Sequence, residues 1–149
     1  MVCDSALFDL KHPPHLHQKV ILLGLLAGSR GRLQSVRQIG WNPQCQFETD
    51  DLVAQIRQAL SNCVAVVAAG GGLPEHIVRM TWYLRDKKEY VTRLKEIGAV
   101  YREVMGRHYP AMSAVQVADL IEDEAKVEIE VTAVVPVKPA INQERSLGN

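Results

Sequence analysis

The fold is decided by residues 109–135, which read YPAMSAVQVADL over 109–120, an acidic patch EDE over 122–124, and KVEIEVTAVV over 126–135. Both outer segments alternate apolar residues with polar or small ones, which is the period of a half-buried strand. The acidic patch between them is typical of a solvated turn. The sequence therefore predicts a strand pair near the C-terminus, with Glu128 and Glu130 on one face of its second strand.

Composition narrows the class of protein. The chain has 149 residues, of which 47% are apolar and 23% charged, as expected for a single globular domain. Its formal net charge is +0, which argues against a nucleic-acid partner because phosphate binding needs a concentrated basic surface. The apolar run at residues 20–27 is too short to span a bilayer, so no membrane partner is expected.

The cysteines and histidines predict no metal site. Cys3, Cys45 and Cys63 are an odd number without metal-ligand spacing, and they indicate reduced thiols in a cytoplasmic protein. Three more candidate ligands, the histidines at positions 12, 15 and 17, lie in an aperiodic segment with two prolines. An irregular arm is favoured there, because metal binding needs converging ligands with a supporting shell. No cofactor is expected.

The chain is predicted to form an irregular arm over residues 1–19, a single domain over 20–136 and a flexible polar tail over 137–149. In the domain, a strand is predicted over residues 76–84, which are rich in β-branched and aromatic side chains. Together with the strands at 112–120 and 126–135, it predicts an α+β fold with helices on one face of a sheet.

Two helices are predicted from apolar residues at helical spacing. The first runs over 50–69, is capped by Thr49 or Asp50, and ends at the glycine triplet that follows. The second runs over 87–105 and ends at Gly106. Its predicted buried stripe consists of Val91, Leu94, Ile97, Val100, Tyr101 and Val104.

Four short motifs occur in order: QIGWNP at 38–43, RQALSN at 57–62, PEHIVRMT at 74–81 and EIE at 128–130. With Tyr101 in the second predicted helix, they resemble the Rid family of reactive-intermediate deaminases, also called the YjgF/YER057c family, over about residues 38–136. The resemblance implies a six-stranded mixed sheet with two helices on one face, similar to chorismate mutase. It also implies a homotrimer that binds a small molecule in clefts between subunits.

The resemblance implies a ligand site but changes one of its main residues. In family members that deaminate imines or enamines, an arginine after P-A clamps the substrate carboxylate through a bidentate pair. Met112 stands at that position here, which implies an altered substrate range, and Arg107 or Arg37 is the alternative cation. The family's proton-handling glutamate corresponds to Glu128. The other implied substrate-binding residues are Ala111, Ala114, Tyr101 and Gln38.

Three functions follow from the resemblance. The first is a hydrolase that deaminates a small enamine or imine, with Glu128 as its catalytic residue. The second is a non-catalytic trimer that binds a small molecule. The third, an endoribonuclease, is disfavoured by the zero net charge. For Glu128, a catalytic role and a solvent-facing strand position are about equally supported.

The match to the family begins abruptly at Gln38. Before it, residues 28–37 read GSRGRLQSVR, which alternates poorly and places Val36-Arg37 where the family has a serine and a glycine. Codons able to encode this stretch can encode AGDACSLSG in the adjacent frame, which resembles the family's turn and second strand. The hypothesis is a frameshift upstream of Gln38, with ordinary divergence as the alternative, and the nucleotide sequence distinguishes the two.

Overall fold

The computed structural model describes residues 31–136, so the predictions for the arm, the tail and residues 20–30 lie outside the described residues. The described chain forms one mixed, mainly antiparallel sheet together with helices, which confirms the α+β class. The strands are β1 (Arg32–Ile39), β2 (Ile77–Leu84), β3 (Ala111–Gln116) and β4 (Val127–Val135), and the helices are α1 (Leu52–Ala69), α2 (Lys87–Thr92) and α3 (Leu94–Met105), with a 3-10 turn at Pro74–His76 before β2.

The strands form one mixed sheet in the order β1-β4-β2-β3. Strand β4 is antiparallel to β1 and β2, whereas β3 is parallel to β2. Residues 31–136 thus contribute four strands of the six that were expected.

The prediction that the last two strands pair with each other is wrong. Strand β2 lies between β3 and β4, because β3 follows a helical crossover and such a connection lets it pair in parallel with β2. Strand β3 also stops at Gln116 rather than at residue 120, since its partner β2 ends at Leu84.

Helices α1 and α3 cover one face of the sheet, and the core lies between them and the strands. Strand β4 alternates cleanly: Val127, Ile129 and Val131 are buried in the core, whereas Glu128 and Glu130 face the other side. We call that other side the open face. From β1, β2, β3 and β4 it carries Ser35, Arg37, Arg79, Thr81, Tyr83, Ser113, Glu128, Glu130 and Thr132.

Helix α1 begins two residues later than predicted, at Leu52. Asp51 is its N-cap, accepting a hydrogen bond from the Ala54 amide at 2.9 Å, while Thr49 Oγ1 accepts from the Asp51 amide at 3.0 Å. By length and composition α1 resembles a membrane span, but 50% of it is buried inside the protein. It packs against β1, β4 and α3, so it is a core helix.

The second predicted helix is broken in two at Arg93, which has φ −114° and ψ 16°. The Thr92 hydroxyl donates to the carbonyls of Lys88 and Glu89 at 3.1 and 2.9 Å, a back-bonding pattern that bends helices. The break also changes the helical phase, so Val91 and Leu94, which were predicted to be buried, are 53% and 49% exposed.

Arg93 fixes the start of α3 against the start of α1. Its guanidinium contacts the carboxylates of Asp51 and Glu96. The hydrogen bond from Arg93 holds the pKa of the Asp51 carboxyl below its ordinary value, and the Ala54 amide adds to this effect. The helix break therefore has a structural role, because it places a cation at the N-cap of α1.

Gln55 of α1 is fully buried and ties the helix to the segment that leads into β4. Its Nε2 donates to the carbonyls of Thr49 and Glu124, each at 2.9 Å, and its Oε1 accepts from the Lys126 amide at 2.8 Å. A Cβ on Gly40 would lie 2.7 Å from the Gln55 Cα, so only glycine permits this close approach of β1 to α1. These contacts fix the position at which the strand carrying Glu128 begins.

Strand β1 forms despite the poor alternation of its sequence. Gln34, Val36 and Gln38 face the core, and Arg37 faces the other way. Gln34 Nε2 donates to the Gly70 carbonyl at 3.0 Å, but its buried Oε1 has no hydrogen-bond partner among residues 31–136. A buried amide oxygen without a partner is costly. Strand β1 nevertheless pairs with β4 along its whole length, and the frameshift upstream of Gln38 stays a prediction for the nucleotide sequence to test.

Candidate functional site

Glu128 and Glu130 both bind one cation on the open face, the guanidinium of Arg37. Arg37 Nε lies 3.2 Å from Glu128 Oε1, and Nη2 lies 3.1 Å from Glu130 Oε2. The pairing of β1 with β4 explains this arrangement. Arg37 lies opposite Glu130, and Glu128 is the next residue of β4 on the same face. The hydroxyl of Tyr83 on β2 also donates to Glu130 Oε2, at 3.1 Å.

The two carboxylates differ in their surroundings. The Glu128 side chain is 13% exposed and that of Glu130 is 29% exposed. Burial raises the pKa of the Glu128 carboxyl above its ordinary value; Arg37 opposes this shift and the Glu130 charge adds to it. Burial and the hydrogen bond to Glu130 likewise raise the pKa of the Tyr83 hydroxyl. Glu128 is therefore the carboxyl suited to proton transfer closer to neutral pH.

A shallow depression lies beside this cluster on the open face. It is lined by residues of β2 and β4, namely Arg79, Thr81, Tyr83, Glu130 and Thr132. Within residues 31–136, no three His, Cys, Asp or Glu side chains converge as metal ligands would.

The predicted residues of β3 lie at the edge of the sheet. Met112 and Ala114 pair with Met80 and Trp82, so they point to the helix-covered side, opposite to Glu128. Every residue of β3 is nevertheless exposed, and Met112 is 42% exposed, in a strand that forms the edge of the described sheet. Ala111 pairs with Arg79 and points to the open face.

Gln38 and Tyr101 lie inside the protein. Gln38 pairs with Ile129 on the core side of β1 and is 5% exposed. Tyr101 on α3 donates its hydroxyl to the His108 carbonyl at 2.8 Å, and its ring stacks on Tyr109 with centroids 5.5 Å apart. One chain thus does not bring Glu128 into a common cleft with Met112, Ala114, Gln38 and Tyr101.

The cluster around Glu128 includes residues that the sequence did not single out. Arg37 was considered only as an alternative cation, and Tyr83 was given no role. The period-two pattern of β2 does place Tyr83 and Thr81 on one face. Their meeting with Glu130 depends on β2 lying beside β4, which no local pattern reveals.

Comparison with known proteins agrees with this fold. The family model described as Endoribonuclease L-PSP matches residues 31–135. The 2-iminobutanoate/2-iminopropanoate deaminase of Escherichia coli (strain K12) is 37% identical over 100 residues, which are 65% of this chain and 74% of that protein. Among solved structures, E. coli TdcF with bound serine has a TM-score of 0.59 at 34% identity, covering 68% of this chain and 80% of that one.

A second solved structure connects the chain to the same group of proteins. Rv2704 from Mycobacterium tuberculosis, described as a member of the YjgF/YER057c/UK114 family, has a TM-score of 0.57 at 31% identity, covering 70% of this chain and 80% of that one. The mixed sheet with helices on one face and the family model together define the class, that of the YjgF-type α+β proteins. The chain belongs to the Rid family, as the sequence motifs predicted.

Proposed function

We propose that the protein deaminates a small reactive enamine or imine by hydrolysis, with Glu128 as its catalytic residue. The observation that carries the proposal is the position of Glu128, a mostly buried carboxyl on the open face with a raised pKa and the guanidinium of Arg37 beside it. The deaminase relative from E. coli, at 37% identity, supports the same reaction type.

The geometry around Glu128 suits activation of a water molecule. Arg37 Nε lies 3.2 Å from Glu128 Oε1, and Oε2 accepts no hydrogen bond within residues 31–136. Ionised Glu128 takes a proton through Oε2 from a water that attacks the C=N carbon. It then returns that proton to the nitrogen, which gives a carbinolamine. Glu128 next transfers the hydroxyl proton of the carbinolamine to the nitrogen, so that the C–N bond breaks, ammonia leaves and the carbonyl forms.

The direct test is ammonia release from a panel of enamines and imines, measured against spontaneous hydrolysis in the same buffer. Release well above the blank with at least one substrate is expected. A non-catalytic binding protein, the second candidate, would bind product-like ligands without accelerating release. That alternative is supported by Met112, which cannot form the ion pair of the family's arginine.

We also propose that the ligand cleft lies between subunits of a homotrimer. The fully exposed edge strand β3 carries Met112 and Val115, which are 42% and 45% exposed. An exposed strand edge with apolar side chains favours association with another chain. Such an assembly would bring Met112, Ala111 and Ala114 of one subunit to the glutamate face of the next.

Light scattering is expected to give a mass of about three times the 16.6 kDa chain. Val115→Glu should reduce the mass toward that of one chain, because it places a charge on the proposed contact. The matched control is Val91→Glu, which is similarly exposed at 53% but lies on helix α2 rather than on the strand edge. A native protein that is monomeric at micromolar concentration would contradict the trimer.

Met112→Arg is expected to improve binding of a 2-imino acid mimic, such as 2-oxobutanoate, by at least about ten-fold. Each hydrogen bond to a charged group contributes about 1.5–3 kcal/mol, and a thioether contributes none of this. Titration calorimetry on the native protein, Met112→Arg and the neutral control Met112→Gln measures the change. If the native protein hydrolyses 2-iminopropionate as fast as an arginine-bearing relative, Met112 does not set the specificity.

A further inference from the structure

Arg79 is turned onto the open face by a β-bulge in β2. Ile77 pairs with Ala133 and Arg79 with Thr132 of β4, so two residues of β2 stand opposite one residue of its partner. An unbroken ladder from Ile77 would set Arg79 opposite Val131, which is fully buried. Bulges commonly redirect a side chain next to a functional site.

The redirected side chain has no partner in the described chain. Arg37, Arg57, Arg85 and Arg93 each contact a carboxylate, whereas Arg79 makes no ion pair or hydrogen bond with residues 31–136. It lines the depression together with Thr81 and Thr132, whose hydroxyls are likewise not bonded to another side chain in that range. A guanidinium beside two hydroxyls in a concave surface suits a planar carboxylate.

We infer that Arg79, Thr81 and Thr132 form a subsite for the carboxylate of a small ligand, separate from the edge position of Met112. The guanidinium fork would bind both carboxylate oxygens, and the threonine hydroxyls would donate to them. Glu130 lines the same depression, but it is already bound by Arg37 and by the Tyr83 hydroxyl. Its carboxylate is therefore already bound by groups other than Arg79.

The position of this subsite restricts the length of a substrate, a step that rests on the proposed role of Glu128. Strands advance about 3.3 Å per residue, so along β2 Arg79 lies about 7 Å from Thr81 and about 13 Å from Tyr83. In the neighbouring strand β4, Glu130 pairs with Thr81 and Glu128 pairs with Tyr83. A 2-imino acid whose carboxylate binds Arg79 would place its C=N carbon no farther than Glu130, short of Glu128. A substrate that reaches Glu128 carries its carboxylate several bonds from the reacting carbon.

Calorimetric titration with two stable oxo acids, pyruvate and 6-oxoheptanoate, tests the subsite without turnover. We expect 6-oxoheptanoate to bind the native protein more tightly than its uncharged amide, and Arg79→Gln to weaken its binding by about ten-fold or more. Thr132→Val should give a smaller loss in the same direction. The matched control is Arg102→Gln on α3, an arginine that also makes no ion pair with residues 31–136 and should change nothing.

The subsite is overturned if neither acid binds the native protein at millimolar concentration, or if Arg79→Gln and Arg102→Gln weaken binding equally. The binding measurement needs no turnover, so the failure of the proposed catalysis leaves it intact. Conversely, if the native protein is an active deaminase but Arg79→Gln binds the oxo acids as the native protein does, the subsite is rejected and the proposed function is retained. Circular dichroism of each variant verifies that it is folded.

Discussion

Replacing Glu128 with glutamine is expected to lower the rate of ammonia release from an active substrate by about 10²–10⁴-fold, the usual contribution of a positioned acid or base. The amide keeps the shape of the side chain, and its oxygen can still lie against the Arg37 guanidinium. It cannot take a proton from water, so the loss reports the chemical role of the carboxylate. Initial rates of ammonia release on native protein and variant measure it.

Glu130→Gln is the matched control, because Glu130 lies on the same strand face and also contacts Arg37. It should lower the rate by much less than Glu128→Gln, since Glu130 is more exposed and is bound by both Arg37 and Tyr83. Equal losses of rate in the two variants would show that the total negative charge of Glu128 and Glu130 matters, rather than proton transfer by Glu128. An active Glu128→Gln would remove Glu128 from the mechanism.

The pH profile provides a second readout of the same carboxyl. A general base works in its ionised form, so kcat/KM should fall as the pH drops through the pKa of Glu128. Because burial raises that pKa above 4.5, the acid limb should lie above the ordinary glutamate value. Arg37 opposes the rise, so Arg37→Gln should move the limb to higher pH.

Gln55→Ala is expected to lower the free energy of unfolding by at least about 3 kcal/mol. The substitution leaves two carbonyls and one amide without their partner, and each buried polar group left unsatisfied costs about 1–3 kcal/mol. Urea denaturation followed by circular dichroism measures the change.

Gln58→Ala on the same helix is the control for Gln55→Ala. Gln58 is only partly buried and donates one hydrogen bond, to Asn62 at 2.8 Å, so its loss should cost about 1 kcal/mol or less. If both variants are destabilised equally, the three contacts of Gln55 do not contribute as proposed. A larger effect of Gln55→Ala would identify this side chain as the link between α1 and the start of β4.

The local patterns of the sequence determined the elements and the faces of several of them. Period-two alternation was sufficient to place Glu128 and Glu130 on one side of β4, because successive side chains of a strand point to opposite faces. Helical spacing located α1 and the buried positions Ile97, Val100 and Tyr101 of α3. The short motifs identified the family, since they specify the same local structures in the same order.

Only the tertiary structure decided which elements meet. The insertion of β2 between β3 and β4, the contact of Arg37 with both glutamates and the pairing of Gln55 with Lys126 join residues that are distant along the chain. The break at Arg93 and the bulge before Arg79 are local, yet each is defined by partners on other elements, Asp51 and Thr132. Periodicity records the shape of one segment, whereas pairing and register depend on the free energy of contacts between segments.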